Sequence, residues 1–263
     1  MLLSPGVSAA VDLKLSVHSA ILMDMTTGRV LLSHNADDPL QPASITKVLS
    51  LYLADEAIRE GRVRPTDPVK ISRKAQRTGG SKMFLQAGSE IPLHDLLKGM
   101  AVVSANDASV AVAEYLGGNV ENFVKQMNGK ARELGMNNSC FKNPNGLPAR
   151  GQFTTARDML VLACDYLRQF PECLELHSQQ YFTYRDITQR NRNSLLRRYP
   201  NADGLKTGWV VQAGYHIVAT AKRGKTRLIA VVMGAKTPSI RTRETERLLD
   251  EGFMMVGSDL HQG

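Results

Sequence analysis

Three cysteines in 263 residues are too few to staple a small disulfide-held domain. Cys140, Cys164 and Cys173 form no CxxC pair, and no histidine spacing near them suggests zinc, so no metal site is expected. Their odd number leaves at least one thiol free. A Cys164–Cys173 bridge is conceivable, but a helical reading of that stretch favours buried thiols. No run approaches the roughly 18–20 apolar residues that span a bilayer, so no membrane span is expected. No glycine-rich loop is built to cradle phosphate, and no cofactor is expected. No helix-turn-helix, zinc-finger or RNP signature is present, which removes the usual nucleic-acid-binding modules.

What remains is ordinary globular composition, 43% hydrophobic and 22% charged, long enough for one large domain or two small ones. The formal net charge of +8 favours polyanions: nucleic acid, anionic membrane or acidic cell-wall polymers. The densest basic stretch, Arg185 to Arg198, reads as a solvated face with snorkelling side chains, and no nucleic-acid partner is expected. Residues 1–15 end their first ten positions in small residues without a basic n-region or a full apolar core. They read as the stub of a signal peptide, which implies a secreted, periplasmic or cell-envelope protein.

Residues 16–23 and Val30 to Leu32 read as a hairpin about Thr26-Thr27-Gly28-Arg29. Ser44 to Arg59 reads as a helix buried on several sides. From 63 to 200 helical signals dominate: Leu93 to Val103, Ala108 to Tyr115, Val120 to Leu134 and Ala156 to Arg168, the last opened by Thr155 and Asp158 as a weak capping box. Strands return at Asp203 to Trp209, Tyr215 to Ala221 and Arg227 to Met233, and Ile240 to Met255 closes as an amphipathic helix. Strands at both ends around a helical insert predict an α+β fold. An antiparallel sheet flanked by helices (16–62 and 201–263) would face a mostly helical subdomain (63–200) across a cleft, all within one domain spanning 16–263.

Three short motifs carry chemistry. In Ser44-Ile45-Thr46-Lys47, serine and lysine share a helix face one turn apart. A serine hydroxyl needs a base within hydrogen-bond reach, and lysine can be that base if burial and a nearby cation bring its pKa towards neutrality. In Ser104-Ala105-Asn106, a hydroxyl that can pass a proton and a carboxamide that can hold a peptide carbonyl point into one cleft. In Lys206-Thr207-Gly208, a fixed charge and a hydroxyl precede a glycine that lets a ligand lie against the strand. Singly each has an ordinary explanation: a helix start, an N-cap, a strand start on a basic protein. In this order they form the signature of class A β-lactamases and penicillin-binding proteins, with Ala105 where that pattern has aspartate.

The chain resembles the low-molecular-mass D-alanyl-D-alanine carboxypeptidases of serine peptidase family S11, from about Val17 to Phe253. Pro42-Ala43-Ser44, Gly80 to Leu85, Asn106-Asp107-Ala108, Leu134-Gly135-Met136, Asn143 to Leu147, Asn191-Arg192-Asn193 and Asp203 to Gly208 carry the likeness beyond the catalytic triplets. The resemblance implies a β-lactamase/transpeptidase-like fold. It implies Ser44 as nucleophile, Lys47 as base and Ser104 as proton relay, with Asn106 holding the substrate amide. Lys206 and Thr207 would receive the terminal carboxylate, with Arg241 near it. The backbone N–H groups of Ser44 and Trp209 would form the oxyanion hole. The implied substrate is a peptidoglycan stem peptide ending in D-Ala-D-Ala, with β-lactams as covalent inhibitors. Relatives commonly carry glycine at the Ala105 position and His-Thr where this chain has Trp209-Val210, which bears on substrate detail. They often add a C-terminal β domain and an anchor helix, for which no segment is seen here. A D,D-endopeptidase is the alternative. A β-lactamase is disfavoured because the deacylating Glu-x-x-Leu-Asn arrangement is missing, and a non-catalytic wall binder because every catalytic residue is present.

Overall fold

The computed structural model describes residues 14–259, so most of the expected leader lies outside the described residues. Strands β1 (Ser19–Asp24) and β2 (Arg29–His34) form the expected hairpin. The Asp24 carboxylate accepts from the Thr26 N–H and the Thr27 hydroxyl, and Gly28 takes φ +77° to close the turn. A 3-10 turn, Ala43–Thr46, runs directly into α1 (Lys47–Arg59). Then come β3 (Pro68–Lys70), α2 (Arg73–Arg77), β4 (Glu90–Pro92) and α3 (Leu93–Lys98). A π-helical turn, Gly99–Val103, separates α3 from α4 (Asn106–Gly117), and α5 (Val120–Glu133) follows.

The second half opens with α6 (Ala156–Gln169), where the Thr155 hydroxyl accepts from the Asp158 N–H as the capping pattern predicts. After α7 (Cys173–His177) come a small hairpin, β5 (Tyr181–Tyr184) and β6 (Ile187–Arg190), and α8 (Leu195–Arg198). Three long strands, β7 (Ala202–Val210), β8 (Gly214–Arg223) and β9 (Thr226–Ala235), lead to α9 (Pro238–Asp259).

The two chain ends complete one antiparallel sheet in the order β2-β1-β9-β8-β7, with β7 at an edge. Both faces are buried, which is why Leu228 to Met233 reads as a continuous apolar run instead of alternating. Leu228, Ala230 and Val232 face Leu248 and Leu249 of α9. Ile229, Val231 and Met233 face the large helical core that includes α1, α4 and α6. Helix α6 lies against β1 and β9, so sheet and helical body share one core. Cys140, Cys164 and Cys173 are free thiols, and the latter two are buried, as the helical reading favours.

Two buried histidines give the fold an acid limit. His216 on β8 accepts from the Gly234 N–H at Nδ1 (3.0 Å), and its Nε2 lies 3.0 Å from the Gln41 carbonyl. A neutral ring with its proton on Nε2 satisfies both, and a second proton on Nδ1 would face a donor. His177 meets the Leu205 carbonyl through Nδ1 at 3.0 Å, and its buried Nε2 has no partner. Burial pushes both down to about 4 from 6.5. The unfolded chain therefore binds more protons between those values, so stability present above 6.5 is lost as pH falls towards 4. Asp55, pushed up to about 6 by burial, opposes this over part of the range. Buried Lys47 and Lys206, both held low, add to the loss, so urea unfolding at pH 7.5 and pH 4.5 should show a net loss of at least about 3 kcal/mol. Equal stability at the two values would place the acid limit elsewhere.

Candidate active site

The three sequence motifs converge where the start of α1, the start of α4 and the edge strand β7 meet. Ser44 sits in the 3-10 turn and Lys47 opens α1, so one turn separates them and the Lys47 Nζ lies 3.0 Å from the Ser44 Oγ. Lys47 is completely buried. Its remaining hydrogen bonds go to neutral acceptors, Asn106 Oδ1 at 2.7 Å and the Asn145 carbonyl at 2.8 Å. Burial, and then the charge of Lys206, hold its pKa well below the ordinary lysine value, with the Asp107 carboxylate opposing them. An ammonium without a carboxylate partner, buried beside a second cation, gives up its proton readily.

Ser104 closes the π-helical turn in a left-handed conformation, φ +64°. That reversal ends the helical run and lets Asn106 begin α4 facing Lys47. The loop at 79–85 is laced to this corner. Asn106 donates from Nδ2 to the Gly79 carbonyl and from its backbone to the Ser81 carbonyl, both at 2.8 Å. The Asp107 carboxylate accepts from the Met83 and Leu85 N–H groups, each at 3.1 Å. A Cβ on Gly80 would stand 2.6 Å from the Asn106 Nδ2, so only glycine fits there.

On the opposite wall Lys206 is buried, its Nζ donates to the Thr207 carbonyl at 3.0 Å, and Thr207 lines the cleft. Burial, with Arg241 and Arg192 nearby, lowers Lys206 to about 7. Arg241 projects from α9 into the same cleft. It is 5% exposed, its Nε has no hydrogen-bond partner, and burial lowers it to about 10. A buried guanidinium with unspent donors is suited to an anion. Gly208 has a packing reason beside the one its motif suggests. Its missing Cβ would lie 3.0 Å from the Ser44 nitrogen and 3.1 Å from the Ala43 Cβ, so glycine lets β7 press against the serine turn.

The cleft has a volume of about 500 Å³ and is lined by Ser44, Ser104, Thr207, Gly208, Trp209 and Arg241 among others. Size does not single it out. A cavity of about 520 Å³ near Tyr115 and Glu121 matches it but contains no hydrogen-bonded nucleophile and base. Sequence reasoning gave no role to Ser81, Arg192, Ser194 or Tyr215, which also line the cleft, nor to Asn145. Asn145 had a readable signal. It precedes Gly146, which takes φ +80°, and a Cβ there would overlap the Ala43 carbonyl. That contact brings the Asn145 carbonyl to Lys47.

A sequence model described as D-alanyl-D-alanine carboxypeptidase, peptidase S11, matches residues 6–237. The chain is 44% identical over 240 residues to the D-alanyl-D-alanine carboxypeptidase DacC of Escherichia coli K12, covering 89% of this chain and 60% of that one. It spans about three-fifths of the length of the curated carboxypeptidases it matches. Among solved structures, penicillin binding protein 5 of Haemophilus influenzae superposes with a TM-score of 0.91 at 39% identity, covering 94% of this chain and 73% of that chain. Penicillin-Binding Protein D2 of Listeria monocytogenes in its ampicillin-bound form gives 0.84 at 30% identity, covering 92% of this chain and 99% of that chain.

Proposed function

The chain belongs to the D-alanyl-D-alanine carboxypeptidase family, peptidase S11, and from that premise we propose that it removes the terminal D-alanine of peptidoglycan stem peptides in the cell envelope. The observation that carries this is the Ser44–Lys47 hydrogen bond of 3.0 Å at a lysine buried beside a second cation. Neutral Lys47 takes the Ser44 proton as Oγ attacks the carbonyl of the penultimate D-alanine. The developing oxyanion is held by the backbone N–H groups of Ser44 and Trp209, a reading supported by the close approach of Gly208, the residue before Trp209, to the Ser44 nitrogen. Collapse breaks the C–N bond, and Ser104 passes a proton to the departing amine. Water then hydrolyses the Ser44 ester, returning the proton through Lys47. Asn106 holds both Lys47 and the substrate amide, while Thr207, Lys206 and Arg241 hold the terminal carboxylate.

A β-lactam offers the same carbonyl and carboxylate, but its leaving nitrogen stays tethered in the acyl-enzyme. The fold shared with an ampicillin-bound relative supports such acylation here. Among the described residues no helix is long and apolar enough to cross a membrane.

The test is D-alanine release from a peptide ending in D-Ala-D-Ala, with intact mass measured after benzylpenicillin. Release together with a one-to-one covalent adduct is expected. A folded protein that releases no D-alanine would overturn the reading and favour cross-link cleavage or wall binding.

Lys206 also has an electrostatic role towards Lys47. With Lys206→Met, the neighbouring cation is gone and the pKa of Lys47 rises. The acid limb of kcat/KM marks deprotonation of the base, so it should move to higher pH in the variant. A pH–rate profile with an unmoved acid limb would remove Lys206 from the tuning of Lys47.

A further inference from the structure

Trp209 follows the third motif on β7, and the structure gives its side chain a surface. Thr207 and Trp209 are two residues apart on β7 and so face the same side of the sheet, whereas Gly208 between them faces Ala43 and Ser44. Along that side the anion-holding group of Thr207 and Arg241 is followed directly by the indole. Tyr215 is the cross-strand partner of Trp209 on β8, and the two rings stack with centroids 5.7 Å apart and planes at 29°. Trp209 is still 53% exposed, and both rings line the cleft that holds Ser44. They also line an adjoining cavity of about 560 Å³ with Val211 and Lys236, so the aromatic wall continues outward from the cleft. The charged side chains lining the cleft, Arg192 and Arg241, are cationic.

We infer that Trp209 and Tyr215 form the subsite for the side chain of the leaving residue, and that this protein favours D-alanyl-D-amino acid termini whose last residue is apolar and larger than alanine. The inference rests on the carboxypeptidase reading. With the terminal carboxylate held at Thr207 and Arg241, the residue that bears it lies beside the indole. A methyl group leaves most of that ring in water, whereas a leucine or phenylalanine side chain covers it. A cationic side chain would meet Arg192 and Arg241 instead. Trp209 is thus a specificity-determining residue through its ring, separately from any use of its backbone N–H.

The experiment compares kcat/KM for N-acylated Lys–D-Ala–D-Xaa peptides with Xaa alanine, leucine, phenylalanine or lysine, in wild type, Trp209→Ala and Trp209→Phe. Wild type should prefer D-Leu or D-Phe over D-Ala by about tenfold and place D-Lys below D-Ala. The ratio should fall to within about twofold in Trp209→Ala and survive in large part in Trp209→Phe, which retains an apolar ring and guards against a folding defect in the smaller variant. Wild-type cleavage of D-Ala-D-Ala without a preference for the larger residue would overturn the subsite while leaving the peptidase reading intact. A preference that persists in Trp209→Ala would overturn it equally. Cleavage of none of the peptides would be a failure of the peptidase reading itself, and the subsite would fall with it.

Discussion

Replacing Ser44 with alanine is expected to lower D-alanine release by about a thousandfold or more and to abolish the benzylpenicillin adduct. The size of the effect follows from the step that is lost. Without Oγ no ester forms, and water would have to attack the peptide carbonyl in an oxyanion hole arranged for a serine. The fold should survive the change. Lys47 keeps its bonds to Asn106 Oδ1 and the Asn145 carbonyl, and the deleted hydroxyl opens towards the cleft. Stability should therefore stay within about 1 kcal/mol of wild type, the net worth of one ordinary hydrogen bond. Parallel assays of release, intact mass and urea unfolding check all three statements. Substantial D-alanine release by Ser44→Ala would move the nucleophile elsewhere, and a large stability loss would mean that Ser44 has a structural task the geometry does not show.

The parts of this molecule that were legible in the sequence are those written in local pattern. The N-terminal hairpin, the strands around Arg223-Gly224-Lys225 and helices α4 to α6 carry periodicity and punctuation of their own. The β5/β6 hairpin does not. Its strands have four residues each, half in water, and its turn places Arg185 at φ +51° where a hairpin would ordinarily use Gly or Asn. It therefore reads only as a basic stretch. The π-helical turn before Ser104 is likewise hidden, because Gly99 to Val103 continues the apolar helix pattern of α3. The packing at that turn is not local either: a Cβ at Gly99 would meet the Met83 sulfur, from outside the helix, at 2.5 Å.

The site shows the same division. Ser44, Lys47, Ser104, Asn106, Lys206 and Thr207 stand in motifs whose spacing reflects the helix starts and the strand they sit on. Arg192, Ser194 and Tyr215 reach the cleft from outside those motifs, and no local spacing announces them. Gly208 carries a second reason that its motif does not show. The Ser44 turn packed against it also requires glycine there.

The decisive test of Lys47 as base comes from two substitutions that separate charge from proton exchange. Lys47→Met removes the amine while keeping a side chain of similar length, and Lys47→Arg puts there a cation that does not lose its proton in proteins. If Lys47 takes the Ser44 proton, both variants should lose about 10²–10⁴-fold in kcat/KM, the span of a general base. If it served only as a fixed charge orienting Ser44, Arg would preserve much of the rate and Met would not. Stability should sort the two in the opposite way. Met leaves Asn106 Oδ1 and the Asn145 carbonyl without their donor, at about 1–3 kcal/mol each, but it also removes a buried amine whose protonation burial and Lys206 oppose. Those effects oppose one another, so Lys47→Met should fold with a modest change. Arg brings a larger, permanently charged group into a position with no exposed surface, next to Lys206, and should be the less stable of the two. Activity retained in Lys47→Arg would end the base assignment. Two inactive variants with Met the more stable would show that the site tolerates loss of the amine but not a permanent charge, and that the rate depends on an exchangeable proton, as expected of a lysine whose pKa burial and the cation beside it hold low.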